Sequence, residues 1–380
     1  MIQTIHDYLQ PQREAMLDSL RALVELETPT DDKAAIDRAQ AFLRAQFEAA
    51  GGRVETAPQP DAGNHLRAEF GGGGQDKPQL TILTHIDTVY PLGTLAAMPF
   101  RNEGRIARGP GIFDMKGGIV IGLYALKALR ALNLMPSRKV VFLVTSDEET
   151  GSRTSRGLIE SEARRSDTVL VLEPGVGPQG ALKTWRKGVG GFWLTVKGRA
   201  AHAGADPERG RSAIVELAHQ IVKFHALNDP AKGTTVNVGV VGGGTRSNVV
   251  AAEAHAEIDV RVMTVGEWAR IEQAAQALQP ATPDTTLHIT GGLNRPPMER
   301  TPQAMARFAQ AKQIAAQLDY ALDETGTGGG SDGNFTAALG IPTIDGLGAV
   351  GNGAHSPHEH IIVGMLPMRA AVVAGLLTEL

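Results

Sequence analysis

From about residue 8 to 50 the apolar positions fall at helical spacing: Leu17, Leu20, Leu23 and Val24, then Ala39, Phe42, Leu43 and Phe47, with Gly51-Gly52 as a stop. The rhythm then changes to short, continuous apolar runs at 79–84, 139–145 and 168–172, with an apolar helix predicted over about 117–132 between the first two. β-Branched runs of that length read as strands buried on both faces, and their alternation with helices predicts an α/β domain with a mostly parallel sheet. From about 187 to 295 the pattern changes again. Strands at 191–196, 235–241, 254–262 and 287–290 are separated by helices through Ile214–Phe224 and Ile271–Leu278, and Thr264-Val265-Gly266-Glu267 spells a capping box for the second helix. This β-α-β-β-α-β order is that of a small ferredoxin-like sandwich. The expected organisation is a larger domain over 1–186 and 296–380 with an inserted domain at 187–295. Helices near 301–318 and 366–378 and a glycine-rich loop at 326–334 complete the larger one.

A chain of 380 residues with 42% hydrophobic content is long enough for two such cores. Its 37 basic and 41 acidic residues form no basic stripe, which argues against a nucleic-acid or anionic-membrane surface. The first residues lack the charged-then-apolar build of a signal peptide, and no apolar run approaches the roughly 18 residues of a membrane span. A soluble cytoplasmic protein is the expectation. Without cysteine there is no disulfide and no thiolate ligand, so any metal must be held by imidazole and carboxylate.

Such ligands stand where a parallel sheet would place them, at the carboxyl ends of strands. The first run ends in His85, the second leads to Asp147-Glu148-Glu149, the third ends in Glu173, and Ile341-Pro342-Thr343-Ile344 leads toward His355. Between the first two, Gly109-Pro110-Gly111-Ile112-Phe113-Asp114 presents Asp114 just ahead of the apolar helix. Two His, an Asp and two Glu suffice for two divalent ions sharing a carboxylate. In His85-Ile86-Asp87 the two polar side chains share one side of an extended chain, so Asp87 is a candidate to accept the other ring proton of His85. Adjacent carboxylates on a turn can diverge, which suits Glu149 as ligand and Glu148 as general base. Near His355, His358 and His360 compete for the ligand role. His219, His225, His255 and His288 fall on predicted elements of the inserted domain and read as surface or packing residues.

Two motifs are set aside. Gly175-Val176-Gly177-Pro178-Gln179-Gly180 has dinucleotide-loop spelling but contains a proline and leads into a strand-like stretch. Gly329-Gly330-Ser331-Asp332-Gly333 spells a serine-hydrolase elbow, yet the preceding Leu322–Thr327 stretch is too polar for the buried strand that motif needs.

With His85-Ile86-Asp87-Thr88-Val89, Gly109 to Gly118, Asp147-Glu148-Glu149-Thr150-Gly151-Ser152, Glu173-Pro174 and Ala201-His202-Ala203-Gly204 in order, the chain resembles the zinc-dependent aminoacylase and carboxypeptidase family, most of all its folate-hydrolysing bacterial glutamate carboxypeptidase branch. The resemblance covers nearly the whole chain. It implies two zinc ions, with cobalt or manganese as substitutes, bridged by Asp114; His85 and Glu173 complete one set of ligands, and Glu149 and His355 the other. It further implies that Glu148 takes the proton of the attacking water. The inserted domain would dimerise the protein and close over the site, with His202 reaching the partner's site to stabilise the oxyanion. Asn248, Arg261 and Arg295 would bind the substrate's carboxylate side. The substrate is then a small peptide or an N-acyl amino acid cleaved next to a free carboxylate. Biosynthetic deacylation of acetylornithine or succinyl-diaminopimelate is the alternative within the same chemistry. A non-catalytic binding module is the alternative outside it, and it would need a missing ligand or base, whereas every such position is filled. Ala181 stands where the branch has a lysine, with Lys183 nearby, so C-terminal glutamate is expected to be accepted but not required.

Overall fold

The computed structural model describes residues 1–72 and 77–380. They divide into two compact units, one made of Met1–Trp185, Arg300–Thr327 and Ser331–Leu380, the other of Arg186–Glu299 with Gly328–Gly330.

The first unit is built on a six-stranded sheet. Strands Val140–Thr145, Gln79–His85, Ser166–Val171 and Thr343–Ile344 lie side by side and parallel, while the hairpin Arg53–Ala57/His65–Phe70 adds an antiparallel edge next to Val140–Thr145. Period-two alternation explains why the central strands are apolar throughout. Leu80, Ile82, Phe142, Val144 and Leu170 pack into the main core with the helices Ile2–Leu9, Gly117–Ala131 and Met365–Glu379, whereas Leu83, Leu143, Val169 and Val171 face Ile159, Ala163 and Phe335 on the other side. Gly118 lets the helix Gly117–Ala131 start against the end of a strand, since a Cβ there would lie 2.0 Å from the carbonyl oxygen of Leu172. In this parallel register His85 sits beside Thr145. A small four-stranded sheet of Arg101–Asn102, Ile106–Arg108, Gly351–Asn352 and His360–Ile362 brings the Gly109–Asp114 turn next to the segment carrying His355.

The helical spacing over 8–50 resolves into Ile2–Leu9, Arg13–Glu25 and Lys33–Ala49. The break after Glu25 contains Thr28-Pro29-Thr30, whose proline cannot donate to a helix interior. The break is used: Thr28 Oγ1 donates to the carbonyl of Ile86 (2.8 Å) and Thr30 Oγ1 to Asp87 (2.8 Å). Asp32 then caps the third helix by accepting from Ala35 N.

The second unit is an antiparallel four-stranded sheet in the order Thr235–Gly243, Glu253–Val262, Gly188–Lys197, Thr286–Arg295, with helices Ala213–His225 and Val265–Gln276. Every second residue of the strand Glu253–Val262 is buried, and Phe192 stacks on Trp268 at 5.5 Å. Thr264 accepts from Glu267 N as its capping box requires, but the Glu267 carboxylate engages Lys232, Thr234 and Arg270 instead of completing the box. Among the described residues no helix is long and apolar enough to cross a membrane.

Candidate metal centre

Three parallel strands end together, and the polar residues that follow them converge. His85 closes its strand and is buried; its Nε2 lies 3.4 Å from Asp114 Oδ1 and 3.4 Å from Glu173 Oε1. His355, half-exposed and held at φ +60°, brings its Nε2 to 3.4 Å from Asp114 Oδ2 and 3.3 Å from Glu149 Oε1. The two oxygens of Asp114 thus face two different imidazoles. His355 is so placed, whereas the ring of His360 turns to the carbonyl of His358.

These spacings are long for a charged hydrogen bond, about 2.7–2.9 Å. They match two donors on one ion, since ligands bound at about 2.0–2.1 Å in tetrahedral geometry stand about 3.3–3.4 Å apart. His85 Nε2, Asp114 Oδ1 and Glu149 Oε1 are buried with no hydrogen-bond partner among the described residues, and ligand atoms of these three side chains lie within 4.8 Å of one another. Buried polar atoms are rarely left so, and a cation would satisfy all three. The electrostatics agree. Burial would lower His85, but Asp114, Asp87 and Glu173 outweigh it and raise the imidazole well above its ordinary value. Asp114 and Glu149 push His355 up to about 10. Burial would raise Asp114, yet His355 and His85 hold it far below the usual carboxylate range, while burial raises Glu149. The cluster therefore demands positive charge, which protons supply when metal does not.

Asp87 is fully buried, and its position differs in emphasis from the sequence expectation. The second ring nitrogen of His85 lies 3.0 Å from Asp87's own carbonyl oxygen and 3.4 Å from its carboxylate. That carboxylate accepts instead from the backbone N–H groups of Glu148 (3.2 Å) and Glu149 (3.1 Å) and from Thr30. It fixes the turn Glu148–Thr150 as well as the ring. Asp147, the third acid of the run, accepts from Thr154 N and Oγ1 and anchors the turn from below. Asp332, Lys183 and Glu359, the last without any role expected from the sequence, complete the frame. Asp332 accepts from Thr145 (3.1 Å) and Ser152, tying the glycine-rich loop to this turn. Glu359 accepts from three N–H groups of the turn carrying Asp114. Lys183 Nζ stands 3.9 Å from Glu173 Oε2 and 3.7 Å from Asp345 Oδ1.

Both rejected motifs are structural. Gly175–Gly180 is a turn closed by Gly180 N to Gly177 O that leads into the strand Leu182–Arg186, and Ser331 is buried, its hydroxyl given to Asp345 at 2.7 Å.

The remaining candidates lie in the second unit. His202 is exposed, and its Nδ1 accepts from Gly204 N (3.1 Å) and Ala205 N (3.0 Å), which leaves the neutral ring's proton on Nε2. Asn248 is on the neighbouring segment, its carbonyl accepting from Ala203 N. Arg261 is already engaged, with two of its nitrogens on Asp259 at 2.9–3.1 Å. Arg295 is buried at the end of the strand Thr286–Arg295.

Residues 81–379 match the model of peptidase family M20/M25/M40. The chain belongs to this family. It is 32% identical over 377 residues to carboxypeptidase G2 of Pseudomonas sp. (strain RS-16), covering 97% of this chain and 90% of that protein. It is 28% identical over 334 residues to the succinyl-diaminopimelate desuccinylase of Delftia acidovorans, covering 82% and 84%. Among solved structures it shares the fold of the Bacillus subtilis YXEP protein, a dinuclear metal binding peptidase of the M20 family, with a TM-score of 0.68, 16% identity and coverage of 96% and 97%. Like other members of this metallopeptidase family, the protein is a hydrolase of amide bonds.

Proposed function

We propose that the protein is a two-zinc exopeptidase or N-acyl amino acid amidohydrolase that cleaves the amide next to a free C-terminal carboxylate. The observation that carries this reading is Asp114, whose two carboxylate oxygens each stand 3.4 Å from a different imidazole. His85 and Glu173 would hold one ion, Glu149 and His355 the other, with Asp114 between them. Zinc suits these imidazole and carboxylate donors, and cobalt or manganese would fit them too. When bound, the ions would polarise the scissile carbonyl and make water a nucleophile near neutral pH. Glu148 would take the proton of that water and pass it to the leaving nitrogen. Asp87 serves this step by holding the backbone N–H of Glu148 and so the direction of its side chain.

The lid and dimer roles belong to the inserted unit, taken as 187–295. His202, with its proton on Nε2, would donate to the oxyanion of the partner's site, and Asn248, Arg261 and Arg295 would bind the carboxylate end of the substrate. A surface suited to pairing two copies exists there. The strand Thr235–Gly243 is a sheet edge with Val240 and Val241 exposed, and Ile214, Val215 and Val222 are exposed on the helix Ala213–His225. An unpaired edge beside exposed apolar side chains invites a second copy.

The test is hydrolysis of a panel of peptidyl and N-acyl amino acids by zinc-loaded protein, with product identification. Turnover of peptides or acyl amino acids with a free carboxylate, lost on chelation and restored by zinc, is expected. Undiminished turnover with metal shown to be absent would discard the reading. Preference for a succinylated or acetylated diamino acid would move it to the desuccinylase type, which the similarity to the Delftia enzyme keeps open.

A further inference from the structure

We infer that Glu359 is a positioning residue of the dimetal site: its carboxylate fixes the turn that carries Asp114 to the segment that carries His355. The side chain is fully buried. Oε1 accepts from Phe113 N (2.8 Å) and Asp114 N (3.0 Å), and Oε2 from Gly111 N (3.0 Å) and Tyr90 Oη (2.6 Å). Tyr90 Oη also reaches the carbonyl of Ser356 (3.0 Å), and Glu359 N donates to that same carbonyl (3.1 Å). One carboxylate thus gathers three backbone donors from the Asp114 turn while standing four residues from His355.

A buried carboxylate is costly unless donors surround it. Among the described residues Glu359 has four donors and no ion pair; the nearby buried Lys116 gives its ammonium to the carbonyl of Leu26 (2.9 Å). So concentrated a set of backbone donors fixes the direction of the peptide planes that aim Asp114. The arrangement repeats that of Asp87, which accepts two adjacent N–H groups of the turn bearing Glu148 and Glu149. Two buried carboxylates, neither proposed to touch metal, therefore aim two different ligand turns. The difference is that Asp87 neighbours a ligand in sequence, whereas Glu359 joins segments almost 250 residues apart.

This inference rests on the two-ion reading, and the experiment separates the two. Zinc binding to apo wild type and to Glu359→Gln is measured by competition with a chromophoric chelator, with cobalt(II) spectra of both and activity followed as metal is restored. The glutamine keeps one acceptor but turns an NH2 group toward backbone donors. Outer partners of metal ligands typically contribute about 10–100-fold in affinity. The expected result is two ions in the wild type and, in the variant, a loss of about 10–100-fold in affinity for at least one of them, with a shifted cobalt spectrum and kcat recovering toward wild type at saturating metal. Wild-type affinities for both ions in Glu359→Gln would overturn the inference. Fewer than two ions in the wild type itself would overturn the two-ion reading and this inference with it. If Glu359→Gln does not fold, Glu359→Asp decides on the same terms, since it keeps the charge but is one methylene too short to reach every donor.

Discussion

The segments that carry the metal-ligand candidates and those that carry most of the substrate-binding candidates are built on opposite principles. In the first unit His85, Asp114, Glu149 and Glu173 are wholly or largely buried, their turns are pinned by Asp87, Asp332 and Glu359, and ligand atoms of His85, Asp114 and Glu149 have no hydrogen-bond partner among the described residues. In the second unit His202 and Asn248 are exposed and Arg261 is occupied by Asp259, while Arg295 alone of these candidates is buried. A metal site must hold its geometry before the ion arrives, because each ligand must be aimed to a fraction of an ångström. A substrate clamp can wait for its ligand, and its residues keep solvent or local partners until then. Substitutions in the first unit should therefore act through metal and chemistry, and those in the second through substrate.

The largest effect is expected at Asp114. Asp114→Ala removes a side chain that faces both imidazoles, and loss of bound metal together with all measurable hydrolysis is the expected outcome. Metal analysis beside a rate assay checks it, and full activity in this variant would end the contrast drawn above. Glu148→Gln comes next. Both ions should remain while kcat falls by about 10³-fold, within the range of about 10²–10⁴ typical for general-base catalysis. Metal loss in this variant would make Glu148 a ligand instead.

Much of this is legible in the sequence. Buried parallel strands must end at one edge of the sheet, so His85, Glu149 and Glu173 were legible as neighbours from the apolar runs alone, and Asp114 from the glycine turn before an apolar helix. What escaped has a physical reason. Glu359 acts as an acceptor for backbone N–H groups, and such a role leaves no periodicity or spacing to read; it also stands among three histidines whose ligand chemistry is the stronger signal. Thr28 and Thr30 lay in an apparently continuous helical stretch, where Pro29 was the overlooked signal. The pairing of Arg261 with Asp259 could have been read from period two, which puts residues i and i+2 on one face of a strand.

His202 tests whether the second unit acts on a neighbouring subunit, as the proposed dimer requires. His202→Ala should lower kcat by about 10²–10³-fold, the usual cost of one oxyanion donor, without loss of metal. Mixing His202→Ala with Glu148→Gln subunits should then restore partial activity through mixed dimers that hold one intact site. No recovery despite proven subunit exchange would place the action of His202 within its own chain.

Metal binding should be strongly pH-dependent, and the sign follows from the imidazoles. His355 is raised to about 10 and His85 is raised well above its ordinary value, so the metal-free protein keeps protons on both at neutral pH. An incoming ion must displace them, so affinity should weaken as pH falls, by about tenfold per pH unit for each proton released. Calorimetry in buffers of different ionisation enthalpy counts those protons. A pH-independent Kd between pH 6 and 8 would contradict the protonated resting state.

The smallest effect concerns Arg261 and bears most directly on how the proposed clamp, occupied by Asp259, would bind substrate. Its guanidinium can grip a carboxylate through two nitrogens, and Asp259 currently takes that place. The pair is partly exposed, with 31% and 46% of the two side chains accessible, and exposed pairs contribute only about 0.2–1 kcal/mol. A substrate carboxylate can therefore displace Asp259 at small cost. Asp259→Asn should release Arg261 and lower KM by about two- to fivefold for substrates with a free carboxylate, in line with that weak pairing, with kcat and metal content unchanged. The same variant should gain nothing on a C-terminally amidated substrate, which gives the guanidinium no carboxylate to hold. Equal gains on free and amidated substrates would mean that Asp259 repels substrate as a whole, and no gain on either would remove Arg261 from the carboxylate clamp and leave that role to Asn248 and Arg295.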